Sequence, residues 1–293
     1  MTRIEEYGWR GAVEPGIGRV VCAHGDYLRL VCNECPGGEI TARTKKSVFT
    51  RMKTRPPENM KGLKGSQLQL TMPPQPTTGD FVRFRYNAAG DSMITEVLPR
   101  FSHFERKDPA ARRKVQTLAV NFDALFVMMS LNEDFSTARI RRYLDLAVDL
   151  GRAEAVVAVS KIDLRREGDE ELFEELEREV AGAARIIRFS VVSGEGMDDV
   201  AAYVRPRSTL ALIGSSGVGK STLVNRLAGG ERRATREIQE WSGKGRHTTT
   251  NRELIMLPSG AMVVDTPGVR EIGMPGEKEK ELVKGESTHR YRK

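Results

Sequence analysis

Disulfide chemistry is nearly closed to this chain: cysteine occurs three times in 293 residues, too few for a cross-linked framework and in keeping with a reducing compartment. Long apolar runs are missing as well. The most apolar stretch, residues 115–131, is interrupted by Gln116, Thr117, Asn121 and Asp123, so no segment is long enough to cross a bilayer and no membrane partner is expected. Residues 1–10 carry Glu5 and Glu6 and lack the apolar core of an export signal, which makes the cytoplasm the expected location.

What is present is a length sufficient for one large folded unit and a small one, each with its own core. Hydrophobic residues make up 39% and charged residues 30%, with a mean hydropathy of -0.43, the balance of a soluble chain. Net charge is +7 and the isoelectric point is near 9.4, which favours a polyanionic partner through phosphate contacts and counterion release.

Residues 14–100 read as short alternating strands divided by turn residues, at 18–23, 27–32, 39–44, 67–72, 81–86 and 92–97. This pattern predicts a small all-β, OB-like barrel. A loop over 45–64 carries Arg51, Lys53, Arg55, Lys61 and Lys64, suited either to RNA contact or to plain solvation. Residues 101–116 are polar and basic and are expected to be a connector. Beyond them the texture changes to buried strands at 124–131, 155–159, 185–191 and 209–213, alternating with helical spacing at 137–150, 169–181 and 197–203. Such alternation predicts an α/β domain with a parallel sheet over 117–276.

Three motifs carry chemistry. Gly214, Ser215, Ser216, Gly217, Val218, Gly219, Lys220 and Ser221 form a phosphate loop between an apolar strand and a helix that runs on through Thr222. Glycines let backbone N–H groups turn to phosphate oxygens, Lys220 reaches the terminal phosphates, and the Ser221 hydroxyl suits magnesium. The stretch Val263, Val264, Asp265, Thr266, Pro267 and Gly268 delivers an acid to a strand end, where Asp265 can hold the magnesium shell through water and the Gly268 N–H can contact a terminal phosphate. Ser160, Lys161, Ile162 and Asp163 follow a buried strand, and a carboxylate there pairs with the N1 and N2 donors of guanine that adenine lacks. Asn is usual at the first of these positions. Ser160 is expected to brace the loops less well without altering base choice. Residues 190–194 suit the loop that closes over the base.

The motifs stand in the order guanine, base-closing loop, phosphate loop, Asp-Thr-Pro-Gly, a circular permutation of the usual GTPase order. With Gly245-Arg246-His247-Thr248-Thr249-Thr250, and with Arg106-Lys107, Gln116, Asn121-Phe122-Asp123, Ser130-Leu131-Asn132, Asp134-Phe135 and the run 139–144, the chain resembles the ribosome small-subunit-dependent GTPase A family (RsgA/YjeQ) over residues 14 to about 272. The resemblance implies an N-terminal OB fold, a circularly permuted P-loop GTPase domain, GTP and magnesium as ligands, and action as a monomer. It also implies binding to the small ribosomal subunit and its ribosomal RNA late in maturation, with hydrolysis stimulated by that subunit. Within the family pattern Thr249 is expected to ligate magnesium alongside Ser221, and His247 falls where a catalytic histidine is proposed. Val269 stands where Ras-like GTPases carry a water-orienting Gln, so slow intrinsic turnover is expected. The family continues into a zinc-binding domain, whereas residues 277–293 here are a charged tail without cysteine.

Two alternatives stand beside this reading. One is an RNA-binding module that uses GTP only as a switch ligand, the other an ATPase, which Asp163 opposes. Cys22, His24, Cys32 and Cys35 have spacings that suit either zinc or ordinary packing in strands.

Overall fold

The computed structural model describes residues 1–34, 38–44, 74–107, 115–132, 135–229 and 252–265. The loop over 45–64 and the strand expected at 67–72 lie outside them.

In the first part of the chain, after a short helix α1 (Arg3–Glu6), β1 (Ile17–His24), β2 (Tyr27–Cys32), β3 (Ile40–Thr44), β4 (Phe81–Arg85) and β5 (Ser92–Val97) form a closed barrel. The order is β1-β2-β3-β5-β4, and a β4–β1 pairing closes the ring. Among the described residues, β3–β5 is the one parallel pairing of the barrel. Alternation along each strand sends one set of side chains inward, and Val20, Leu28, Leu30, Cys32, Ala42, Val82, Phe84 and Ile94 fill the interior. Closure satisfies the backbone groups that a flat sheet would leave at its edges.

One edge of β1 serves two partners. Residues Ile17, Gly18 and Arg19 pair with β4, and after a register irregularity between Val20 and Cys22, residues Cys22 and Ala23 pair with β12 (Arg252–Met256). A bulge bends a strand and redirects its edge, which fits this change of neighbour. The barrel thereby joins the second sheet, in the order β10-β9-β8-β11-β13-β12. There β8 (Ala124–Ser130), β9 (Glu154–Ser160), β10 (Arg185–Phe189), β11 (Thr209–Ile213) and β13 (Met262–Asp265) run parallel, and β12 runs antiparallel between β13 and β1.

The parallel strands are buried on both faces. On β8, Leu125, Val127 and Met129 pack with α2 (Thr137–Leu146) and α3 (Asp169–Val180), while Phe126 and Met128 pack with α4 (Met197–Ala201) and α5 (Lys220–Leu227). Helix α2 starts at Ser136, whose hydroxyl accepts from the Arg139 N–H, and it stops at Leu146 rather than at 150 as the spacing predicts. Leu150 is buried in the same cluster as α2, which explains the helical pattern. The chain must turn here, however: Gly151 has φ +68° and so close an approach to the Phe101 carbonyl that a Cβ would lie 2.5 Å from it.

The expected connector is itself structured. Within it lies β6 (His103–Lys107), whose charged residues hid the strand signal, and it pairs antiparallel with β7 (Val115–Val120), which begins at the connector's end and runs on beyond it. Immediately after β7, Asn121 adopts φ +53° and works as a junction. Its carbonyl accepts from Arg19 at 2.8 Å, its amide donates to the Gly79 carbonyl at 3.1 Å, and its Oδ1 accepts from the Phe101 N–H at 3.0 Å. Arg19 is 1% exposed and also donates to the Tyr7 carbonyl at 2.6 Å, with its guanidinium 4.8 Å from the centre of the Phe81 ring. Burial lowers its pKa to about 10. Asp123 accepts from Arg10 at 2.5 Å and from the Thr209 N–H at 2.8 Å. The Asn121-Phe122-Asp123 triplet therefore joins barrel, N-terminal segment and second sheet.

Candidate functional site: a guanine nucleotide cleft

Parallel strands bring their carboxyl ends to one edge of a sheet, and loops there share a crevice. The ends of β9, β10, β11 and β13 carry the segments 160–163, 190–194, 214–221 and the position of Asp265. All four groups singled out in the sequence therefore meet at one edge.

The phosphate loop owes its shape to glycine. Gly214, Gly217 and Gly219 have φ of +148°, +81° and +92°, a region that L side chains rarely adopt. A Cβ on Gly214 would lie 2.5 Å from the Met128 carbonyl, so this residue lets the loop pack down on β8. A Cβ on Gly217 would meet nothing within 4 Å, and the loop there borders open space. Val218 is buried in the sheet–helix core and anchors the far side of the loop. Lys220, the first residue of α5, folds its ammonium back onto the carbonyls of Gly214 and Ser215 at 2.6 and 2.7 Å. A cation held over a glycine loop at the start of a helix is the arrangement that a polyphosphate needs. Ser221 and Thr222 are exposed beside it.

The base motif is tied to this loop by side chains. Ser160 is 3% exposed, and its hydroxyl donates to the Val218 carbonyl at 2.7 Å. Lys161 takes a left-handed φ of +60° and its ammonium donates to the Gly217 carbonyl at 2.7 Å. Ser160 stands where Asn is usual, and its short hydroxyl reaches the loop because the strand end lies directly against Val218. Ile162 is buried and starts a single 3₁₀ turn, Ile162–Leu164, that presents the exposed Asp163. The Ser190 hydroxyl donates to the Asp163 carboxylate and accepts from the N–H groups of Val192 and Ser193, each at 3.1 Å. The expectation that residues 190–194 close over the base did not include Ser190 as the side chain that fixes both the base-reading acid and the closing loop. A hydroxyl directly after the apolar strand β10, at the first residue of the closing loop, was the available signal.

Backbone positions place Asp265 at the end of β13, paired with Glu253 of β12. Thr249, His247, Gly268 and Val269 lie outside the described residues, as do Cys35 and residues 277–293. Cys22 and Cys32 are both buried but in different surroundings, Cys22 opposite Arg29 and Cys32 inside the barrel core. Among the described residues no group of three or more His, Cys, Asp or Glu side chains is placed to hold a metal ion, and no helix is long and apolar enough to cross a membrane.

A sequence model of the family described as RsgA GTPase matches residues 97–275. The small ribosomal subunit biogenesis GTPase RsgA of Leptospira interrogans is 33% identical over 282 residues, covering 92% of this chain and 71% of that protein. RsgA 2 of Lactiplantibacillus plantarum is 42% identical over 197 residues, covering 67% of this chain and 55% of that protein. Among solved structures, YjeQ from Thermotoga maritima superposes with a TM-score of 0.57 at 25% identity, over 86% of this chain and 74% of the other. YloQ, described as a circularly permuted GTPase, has the same fold at 19% identity and a TM-score of 0.52, over 86% of this chain and 70% of the other. A barrel in front, a guanine motif ahead of the phosphate loop and these likenesses agree: the chain belongs to the RsgA GTPase family, as a circularly permuted P-loop GTPase preceded by an OB-like barrel.

Proposed function

We propose that the protein hydrolyses GTP to GDP and phosphate while bound to the maturing small ribosomal subunit, in the cytoplasm and as a monomer. The observation that carries this reading is the joining of base motif to phosphate loop through Ser160–Val218 and Lys161–Gly217, with Asp163 held by Ser190. That geometry fixes the distance between a guanine-reading acid and a polyphosphate cradle.

In the reaction, water attacks the γ-phosphorus and the bond to the β,γ-bridging oxygen breaks. Asp163 selects guanine, while Lys161 packs along the base. Lys220 and the N–H groups of 214–221, with Thr222 at the helix start, take the charge that gathers on the phosphate oxygens. Ser221 and Thr249, with Asp265 through water, would hold magnesium, which would supply further neutralisation of phosphate charge. The Gly268 N–H meets the terminal phosphate, and His247 positions the water that Val269 cannot. The barrel of residues 14–100, through the basic loop over 45–64, contacts ribosomal RNA, and residues 117–276 carry the nucleotide. Support for the ribosomal partner comes from the names of the relatives and from the net charge of +7.

Turnover of GTP by the full chain, measured with and without purified small subunits, tests the proposal. Slow release of phosphate alone and strong stimulation by subunits are expected. Subunit binding that responds to GTP without any phosphate release would instead make the protein a GTP-switched RNA-binding module.

A further inference from the structure

Four residues stand in one row across the seam between the barrel and the nucleotide-binding sheet. Asp265 of β13 pairs with Glu253 of β12, Glu253 with Cys22 of β1, and Cys22 with Arg29 of β2. One end of the row is the acid at the nucleotide edge and the other is a barrel arginine. Arg29 reaches across the cysteine: its Nη2 lies 2.5 Å from Glu253 Oε1, and its Nη1 lies 2.8 Å from Glu39 Oε2. The Cys22 thiol is itself a hydrogen-bond partner of Arg29, and burial raises its pKa, so it stays neutral between the charges. Charged hydrogen bonds of this kind are directional and fix geometry as well as adding energy.

The row lies over an apolar floor. Val21 and Val31 from the barrel are buried with Leu254, Met262 and Val264 from the second sheet. Here β12 has hydrogen-bonded neighbours on both sides, and its place is set jointly by β13 and by the barrel. Glu253 also comes three residues after Thr250, the last threonine of the run that contains Thr249. Whatever moves β12 moves the strand on which Asp265 depends for its pairing.

We infer that Arg29, a barrel residue, is a positioning residue for GTP turnover: its ion pair with Glu253 sets β12 and, through the β12–β13 ladder, the place of Asp265 at the nucleotide. The inference rests on the GTPase reading above and extends it to a residue in a different folded unit. Small misplacement of a group that acts on phosphate charge is costly, because shifts of about 1 Å can cut rates by about 100-fold. It follows that strain applied to the barrel by a bound polyanion reaches the nucleotide through this row.

The test uses the full chain, with magnesium and small subunits, and the variants Arg29→Gln, Glu253→Gln, their double, Arg29→Lys and Glu39→Gln. The two single variants should each lower stimulated kcat about tenfold, and the double should be no worse than either, as expected for residues that act as a unit. Arg29→Lys should recover most of the rate. GTP affinity in the presence of a chelator should stay within about twofold, while the tightening produced by magnesium should shrink by about threefold or more, the sign of a displaced Asp265 rather than a damaged phosphate loop. Glu39→Gln removes the other partner of Arg29 inside the barrel, so it serves as the structural control and should leave kcat and the magnesium effect unchanged. Additive losses, an equal effect of Glu39→Gln, or an unchanged magnesium effect in Glu253→Gln would overturn the inference. If the unaltered protein binds GTP but never turns it over, the hydrolytic reading fails, and the magnesium effect on affinity still decides the role of Arg29.

Discussion

The Ser160 hydroxyl donates to the Val218 carbonyl at 2.7 Å and so ties the end of β9 to the middle of the phosphate loop. Both residues are buried, and no bond of the regular sheet links these two segments. Ser160→Ala leaves the Val218 carbonyl without this donor, at a cost of about 1 kcal/mol. GTP and GDP affinities should both fall, by about fivefold. Preference for guanine over adenine should persist, since Asp163 is untouched. Displacement of a fluorescent guanine nucleotide measures all three, and a loss confined to GTP would contradict the bracing role.

Asp163 is exposed on its 3₁₀ turn and oriented by Ser190. ATP should bind at least about 100-fold more weakly than GTP, because adenine leaves the carboxylate unpaired. Asp163→Asn should move the preference to xanthine nucleotides, whose C2 carbonyl accepts from the new amide. Competition by ATP equal to that by GTP would remove residues 160–163 from the base site.

Turnover should separate His247 from Lys220. His247→Ala is expected to keep GTP affinity within about twofold while lowering the subunit-stimulated rate by about 100-fold, as when a contact exists only in the transition state. Lys220→Ala should lose binding and rate together, since its ammonium sits on the loop carbonyls beside the phosphate path. Full stimulation of the His247→Ala variant would sink the assignment.

Arg19→Met should destabilise the fold rather than the chemistry. The guanidinium is buried and donates to the Tyr7, Gly79 and Asn121 carbonyls, which would lose those donors. A loss of about 3 kcal/mol or more is expected from three such charged hydrogen bonds. Thermal melts should shift down by about 5 °C or more, with kcat per folded molecule little changed.

Much of this was legible in the sequence because the signals are local. Glycine spacing marked the phosphate loop, the doubly buried strands β8, β9 and β11 read as continuous apolar runs, and the turn chemistry of residues 14–100 announced the barrel. What escaped depended on contacts distant along the chain. Arg19 looked like any strand arginine, since its acceptors are backbone carbonyls at Tyr7, Gly79 and Asn121. Strand β6 was hidden by its charged residues, and α2 seemed too long because Leu150 keeps helical spacing outside the helix. The tie from Ser160 to Val218 was not legible, because a sequence shows the length of a side chain and not the nearness of its acceptor.

The divided edge of β1 has a consequence for anyone who would cut this protein in two. A barrel released after residue 100 would keep the β1–β4 rungs at Ile17, Gly18 and Arg19 but lose those at Cys22 and Ala23, and Val21 and Val31 would be stripped of their apolar cover. An open backbone edge beside uncovered valines invites pairing between copies. The excised barrel would be a sticky fragment, and its binding to RNA would be measured against its binding to itself.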